Sequence, residues 1–323
     1  MTEAEQKFPM KIAFIVDPLA GLKAYKDSSV FMMREAAQRG HEVFAFEIKH
    51  LEMRQSLVSA RVSSLLLSAD NHAWYSIKHQ AQMALTDFDA VLMRKDPPVD
   101  QAYLYSTLLL SMAESQGACI INRGSALRDY NEKLAIAKFP QFTSPTLVTP
   151  DMQSVQAFVD EHQDVIIKKL DGMGGTSIFR VRADDVNRNA IVEVQTIEGL
   201  SAVMVQRYIP AISQGDKRVL LIDGKPAPFS LARIPKAGET RGNLAAGGKG
   251  VAQPLTQRDH EIAEALGPSL KADGLVIVGL DIIGDYLTEV NVTSPTCMVE
   301  IFEQTGFNVA GMLMDLLEQR SSF

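Results

Sequence analysis

Short apolar runs separated by capped helical segments constrain the first third of this chain most tightly. Lys11 to Val16 is apolar enough for a buried strand, and Asp17-Pro18 with Gly21 break it. Asp27-Ser28-Ser29 then offers helix-capping oxygens before apolar positions that run to Ala37, and Gly40 ends the helix ahead of a strand-like His41 to Glu47. Asp89 to Arg94 reads as another buried strand, Gln101 to Gln116 as a helix stopped by Gly117, and Ala118 to Asn122 as a strand. Strands alternating with helices predict a parallel sheet covered on both faces. A Rossmann-like domain over residues 1–123 is the expectation.

From Thr146 the pattern changes to strand, helix and strand. Val165 to Leu170 runs into Asp171-Gly172-Met173-Gly174-Gly175-Thr176-Ser177 and a further strand through Val181, a glycine-rich hairpin. From Lys217 the reading is a strand, a turn at Gly224, a strand from Pro226 to Ile234, a long loop, a helix over about Thr256 to Ala272, a strand pair from Leu275 to Val292, and a closing helix. These later units read as α+β. A chain of 323 residues also exceeds the size at which a single core stops growing, so several domains are expected.

Composition excludes several classes. Hydrophobic residues at 46% and charged residues at 22% are those of an ordinary folded protein. The net charge of -7 and the lack of a long Lys/Arg cluster argue against nucleic acid. No apolar run approaches the roughly 20 residues needed to span a bilayer, and Met1 to Pro9 lacks the apolar stretch of a secretory signal. A cytoplasmic protein without a membrane partner is expected. Cys119 and Cys297 have no paired spacing and read as reduced thiols, and the six histidines are scattered without zinc-ligand spacing.

Neither a GxGxxG turn after Val16 nor a GxxxxGK[ST] loop is present, so any nucleotide must be held by another device. Lys168 followed by Gly172, Gly174 and Gly175 offers a positive charge and backbone N–H groups that can approach an anion without Cβ interference. Taken alone, these glycines fit a plain surface hairpin slightly better. Glu289 and Asn291 are two apart, so on a strand both side chains project from one face and present oxygens that suit Mg2+. A three-residue turn over Gly284 to Tyr286 would bring Asp281 opposite Glu289 on that face, and a two-residue turn would point it away. The segment from Pro235 to Gly250 reads as a lid that closes over an anionic ligand. Arg218 and Arg233 lie on the strands before it, as partners for carboxylate or phosphate or as structural ion pairs.

In order along the chain, Lys26-Asp27-Ser28-Ser29, Met93-Arg94-Lys95-Asp96-Pro97-Pro98, Asn131-Glu132-Lys133-Leu134, Leu170-Asp171-Gly172-Met173-Gly174-Gly175, Asp216-Lys217-Arg218-Val219, Ala232-Arg233-Ile234-Pro235, the run Gly238 to Gly248 and Glu289-Val290-Asn291-Val292-Thr293-Ser294-Pro295-Thr296 resemble the prokaryotic glutathione synthetase family of ATP-grasp ligases. The likeness covers nearly the whole chain from Met10. It implies a Rossmann-like N-terminal domain (1–123) followed by a two-subdomain ATP-grasp fold, with a lid subdomain at 124–209 and a catalytic subdomain at 210–323. It implies ATP as substrate, with Lys133 and Lys168 near its phosphates and Gln206, Tyr208 and Ile209 at a hinge beside adenine. Mg2+, with Mn2+ as an alternative, would be held by Asp281, Glu289 and Asn291. Lys169 stands where the family often has proline and Lys249 where arginine is frequent, and neither change removes a charge.

The activity implied is ligation of glycine to γ-glutamylcysteine, giving glutathione, ADP and phosphate through an acyl phosphate. Arg218 would stabilise the oxyanion of the second step, and Arg233, counted with it as catalytic, would also bind substrate carboxylate with Arg241, near Gly248. The lid would exclude water. A homotetramer is also implied. Two alternatives remain open on the same reading: a ligase joining another pair, such as D-alanine with itself or glutamate with a peptide end, and a noncatalytic nucleotide sensor.

Overall fold

The computed structural model describes residues 9–320 apart from 240, 241, 243, 245 and 246, and three sheets organise them. The first takes β1 (Lys11–Ile15), α1 (Ser28–Gln38), β2 (Glu42–Phe46), β3 (Leu51–Arg54), β4 (Leu57–Leu67), β5 (Tyr75–Ala84), β6 (Ala90–Met93), α2 (Gln101–Ser115), β7 (Ile120–Ile121) and α3 (Gly124–Asp129). Asp27 caps α1, accepting from the amides of Ser29 and Val30 at 2.8 and 2.9 Å. Strands β2, β1, β6 and β7 are parallel, as the alternation of strand and helix requires. Strands β3, β4 and β5 extend that sheet antiparallel, which the reading of the sequence lacked. The reason is chemical. Strand β5 is largely polar and exposed, and it is joined to β4 by Gln80 and Gln82 donating to Ser63 and Ser59 at 3.0 and 2.8 Å, so no apolar alternation marks it.

The second sheet contains β8 (Thr146–Thr149), β9 (Asp164–Lys169), β10 (Ile178–Arg182) and β11 (Val203–Arg207) in the antiparallel order β10-β9-β11-β8, with α4 (Met152–His162) and α5 (Arg188–Thr196) packed against it. The third contains β12 (Asp216–Ile222), β13 (Lys225–Ile234), β14 (Lys249–Pro254), β15 (Ile277–Ile283) and β16 (Tyr286–Asn291) in the order β14-β13-β12-β15-β16, all antiparallel. It carries α6 (Gln257–Ala272), α7 (Met298–Thr305) and α8 (Val309–Arg320). Helix α6 opens with a reciprocal cap in which Thr256 and Asp259 each accept the other's amide.

The cores divide unevenly among these sheets. Two large clusters run continuously from the first sheet into the third, one joining Phe44, Tyr103 and Leu127 to Leu221, Leu280 and Val290, the other joining Phe14 and Leu92 to Leu220, Ile277 and Leu313. The second sheet keeps a small cluster of its own: Val155, Val159, Val165, Ile167, Val181, Val192, Val203 and Val205. The first and third sheets are therefore one packed body, and the second has a small core of its own, tied to that body by Met204 of β11 and the partly buried Val148 and Leu170. Among the described residues no helix is long and apolar enough to cross a membrane.

Candidate active site

Strand periodicity builds the third sheet's working face. Asp216 and Arg218 are two apart on β12 and share a face. Across the ladders Asp216 lies opposite Arg233, Arg218 opposite Asp281, and Asp281 opposite Glu289. Asn291 follows on the same face of β16. The turn between β15 and β16 is the two-residue Gly284-Asp285, because Ile283 pairs with Tyr286. On that turn alone Asp281 would face away from Glu289. A bulge restores the alignment: Ile282 pairs with Leu287 while Asp281 pairs with Glu289, leaving Thr288 as the extra residue, and its hydroxyl donates to the Asp281 carbonyl at 3.1 Å.

The charges on this face are buried and cross-linked. Arg218 grips Asp281 with Nε to Oδ1 at 2.5 Å and Nη2 to Oδ2 at 3.1 Å. Arg233 Nη2 reaches Asp216 Oδ2 at 2.5 Å and Asp281 Oδ2 at 2.8 Å. Although burial opposes ionisation of Asp281, the two guanidiniums hold its carboxyl well below the usual carboxylate range. Burial instead pushes Asp216 up to about 7, with Asp281 and Glu289 reinforcing it against the pull of Arg233. The other oxygen of Asp216, Oδ1, is buried without a hydrogen-bond partner among the described residues. Glycine is required beneath Arg218, because a Cβ on Gly279 would lie 2.8 Å from Arg218 Cδ. Gly242 packs on the same cluster, since a Cβ there would lie 2.3 Å from the Arg233 carbonyl oxygen and 3.2 Å from Asp216 Cβ.

Two lysines approach Glu289 from outside this sheet. Lys168, at the end of β9, places Nζ 3.6 Å from Glu289 Oε1, and Lys133 places Nζ 3.7 Å from the same oxygen. Burial lowers the pKa of Lys168, and Glu289 counters it. Lys133 is aimed by its neighbours. Asn131 Oδ1 accepts the amides of Lys133 and Leu134 at 3.1 and 3.0 Å, and its Nδ2 donates to the Leu170 carbonyl at 3.1 Å. Glu132 Oε1 accepts the amides of Val292 and Thr293 and the Thr293 hydroxyl at 2.9, 3.0 and 2.8 Å. The stretch Asn131-Glu132-Lys133 thus joins the glycine loop to the end of β16, and Lys133 Nζ donates to the Gly172 carbonyl.

One cleft takes in most of these groups. It is lined by Lys133, Lys168, Gly172, Gly174, Gly175, Gln206, Tyr208, Ile209, Arg218, Arg233, Glu289 and Asn291, all singled out in the sequence, and by Asp96, Glu132 and Asp216, which were not given a role there. Asp216 was open to the same two-apart spacing that marks Glu289 and Asn291. Ile166, Ile178, Tyr208 and Ile283 make one part of the cleft apolar, and Arg180, held by Asp164 at 2.9 and 2.6 Å, stacks 3.6 Å from the Tyr208 ring centroid. Gln206 donates to the Thr146 hydroxyl at 3.0 Å. Asp281 lies behind the lining, turned to its arginines. Gly248 is also outside it, and a Cβ there would meet the Gly242 carbonyl at 2.3 Å. Arg241 lies outside the described residues.

A cleft with phosphate-suited lysines and glycines on one side and paired arginines and carboxylates on the other agrees with what similarity shows. The model of the prokaryotic glutathione synthetase N-terminal domain matches residues 10–128, and that of the prokaryotic glutathione synthetase ATP-grasp domain matches residues 132–306. The chain belongs to the prokaryotic glutathione synthetase family. A glutathione synthetase of Ralstonia nicotianae is 56% identical over 96% of both chains, and one of Nitrosomonas europaea is 54% identical over 96% of this chain and 98% of its own. Solved structures extend the likeness to fold alone. D-cycloserine synthetase DcsG superposes with a TM-score of 0.66 at 15% identity, covering 96% of this chain and 99% of that one. The ATP-grasp ligase PsnB, solved with a minimal precursor, Mg and ADP, gives 0.62 at 17%, covering 97% and 98%. The fold is an ATP-grasp fold.

Proposed function

We infer that this family member joins the cysteinyl carboxylate of γ-glutamylcysteine to the amine of glycine at the expense of ATP. The observation that carries the reading is the convergence of Lys133, Lys168 and Glu289 on one side of a cleft whose floor holds Arg218 and Arg233. A carboxylate resists attack by an amine because it would have to expel oxide. Transfer of the γ-phosphoryl group of ATP to that carboxylate releases ADP and creates an acyl phosphate. The unprotonated amine of glycine then attacks the acyl carbon, phosphate leaves, and the amine's surplus proton passes to solvent or to a basic side chain.

The residues divide the work by charge. Lys133 and Lys168 suit the phosphates, assisted by the amides of the Gly172 to Gly175 loop. The apolar part beside Gln206, Tyr208 and Ile209 suits the adenine ring. Arg218, held rigidly by Asp281, suits the oxyanion that forms when the amine adds, and Arg233 suits a substrate carboxylate, with Arg241 and Gly248 assigned to the same substrate. Glu289 and Asn291 offer hard oxygens on one face of the cleft. Asp281 has lone pairs beyond those its arginines take, so this donor set fits Mg2+, with Mn2+ as an alternative. When bound, the ion would neutralise phosphate charge during transfer. The loop from Lys236 to Gly250 would cover the intermediate from water.

Three broader assignments belong to the same proposal. The separate core of the second sheet supports a lid subdomain at 124–209 between an N-terminal Rossmann-like domain at 1–123 and a catalytic subdomain at 210–323. An exposed apolar row on α2, Tyr105, Leu108 and Met112, supports the homotetramer. The small polar substrates support a cytoplasmic site of action. The deciding experiment is coupled ADP release with γ-glutamylcysteine, glycine and Mg2+, each omitted in turn. Release that needs all three, with glutathione as product, is expected, and ATP binding without such turnover overturns the substrate assignment.

A further inference from the structure

Four carboxylates line the cleft: Asp96, Glu132, Asp216 and Glu289. Three are engaged. Glu132 accepts from two amides and a hydroxyl, Asp216 is bound by Arg233, and Glu289 faces Lys133 and Lys168. Among the described residues the carboxylate of Asp96 has no hydrogen-bond or ion-pair partner. Its backbone, by contrast, is held on both sides. The Asp96 amide donates to Asp17 Oδ2 at 3.0 Å, and the Asp96 carbonyl accepts from Lys95 Nζ at 2.7 Å, with the same lysine 2.9 Å from Asp17 Oδ1. Two residues before it, Arg94 is anchored within the joint body, donating to the Ser29 hydroxyl of α1 at 3.0 Å and to the Pro295 carbonyl beyond β16 at 2.8 Å. An exposed acid without a hydrogen-bond partner among the described residues thus lines the cleft from a fixed turn of the first sheet, in a lining that also takes in Ser294, Thr296 and Cys297.

The substrate charges show what such a group can bind. On the proposed reaction, the dipeptide carries two carboxylates and one ammonium, and the glycine amine must be unprotonated to attack. The cations of the cleft can serve the carboxylates and the phosphates. The ammonium at the γ-glutamyl end needs an anion, and Asp96 is the lining carboxylate whose oxygens make no hydrogen bond or ion pair among the described residues, with Arg94 acting on it only at longer range. We propose that Asp96 receives this ammonium and selects donors with a free amino group at the γ-glutamyl end. This rests on the ligase reading above.

The test is a cross of substrate and variant. Glutarylcysteine has the same chain as γ-glutamylcysteine but lacks the amino group. For the unaltered protein, kcat/KM should fall on the order of 30-fold when it replaces γ-glutamylcysteine, as for loss of a charge-assisted hydrogen bond. In Asp96→Asn that ratio should shrink to about threefold or less, through loss on the amino-bearing donor only, and Asp96→Glu should recover part of it. ADP affinity, measured separately, should be the same in all three proteins and shows that they are folded. A ratio that persists in Asp96→Asn overturns the proposal, as does its absence from the unaltered protein. If the unaltered protein binds ADP but forms no peptide bond with γ-glutamylcysteine, the ligase reading itself fails and the proposal falls with it.

Discussion

The second and third sheets both wall the cleft, yet they are held by different means. The third shares its cores with the first sheet through large side chains such as Phe14, Tyr103 and Leu280, and its working face is locked by buried ion pairs. The second has a small core of seven valines and Ile167, and it lines the cleft with the glycine loop and Lys168 of its inner strand β9. On the proposed reaction, chemistry that depends on fixed charge falls to the packed body, and nucleotide contacts fall to the unit with the smaller core.

Removing Arg218 tests the rigid side most severely. Arg218→Met should lower kcat about 10^3-fold and cost about 3–5 kcal/mol of stability, because Asp281 loses its bidentate partner in a buried site. Near-normal turnover in steady-state assays would take the fixed-charge role away from the third sheet. Core truncations compare the two sheets directly. Leu280→Ala should destabilise by about 3 kcal/mol in urea unfolding followed by the fluorescence of the single tryptophan, Trp74, which is buried in the joint body. Val205→Ala should cost about 2 kcal/mol, expressed first as faster amide exchange in β9 and β11 with a smaller displacement of the Trp74 transition. Equal displacement of that transition by both would mean that the two sheets unfold as one.

Asp216 gives the face a pH dependence. Its folded value of about 7 lies above the value near 4 of an unfolded chain, so the folded protein retains a proton that the unfolded chain has lost. Its stabilisation is complete below about pH 4 and disappears as pH rises through about 7. Asp281, held low, acts in the opposite sense: its contribution is present above about pH 4 and is lost as pH falls. Ligand-free Asp216→Asn should therefore lose less stability than the unaltered protein between pH 5 and pH 8, by about 2–3 kcal/mol in urea titrations. An identical pH profile would show that Arg233 keeps Asp216 ionised throughout. The smallest effect is expected on the glycine side. Gly174 has φ +61° with open space around its Cβ position, so Gly174→Ala should cost about 1 kcal/mol locally. It should raise the KM for ATP about threefold with kcat unchanged, a local loss of nucleotide contact. A fall in kcat instead would place the loop in the rigid machinery.

Much of this was legible from residue order. The cap at Asp27, the hairpin glycines after Lys168 and the paired oxygens of Glu289 and Asn291 are local patterns, and the structure has them. Asp216 was missed although it has the same spacing to Arg218, because an acid beside a lysine and an arginine reads as an exposed ion pair until its strand is known to be central. Strand β5 escapes a sequence reading because it is largely polar and exposed, whereas β4 does alternate at the buried Val58, Ala60 and Val62 and was open to one.

By itself the sequence determined many of the strands and helices, though not β3 to β5, since caps, turns and side-chain periods act within a few residues. It also determined that phosphate-suited and metal-suited groups are present. Tertiary structure decided what those groups face. The bulge at Thr288 turned Asp281 back onto the working side, the ladders set Asp216 and Asp281 between two guanidiniums, and packing of the first sheet brought Asp96 to the cleft. Register and burial depend on partners tens to hundreds of residues away, and the electrostatics of a buried group follow from those partners.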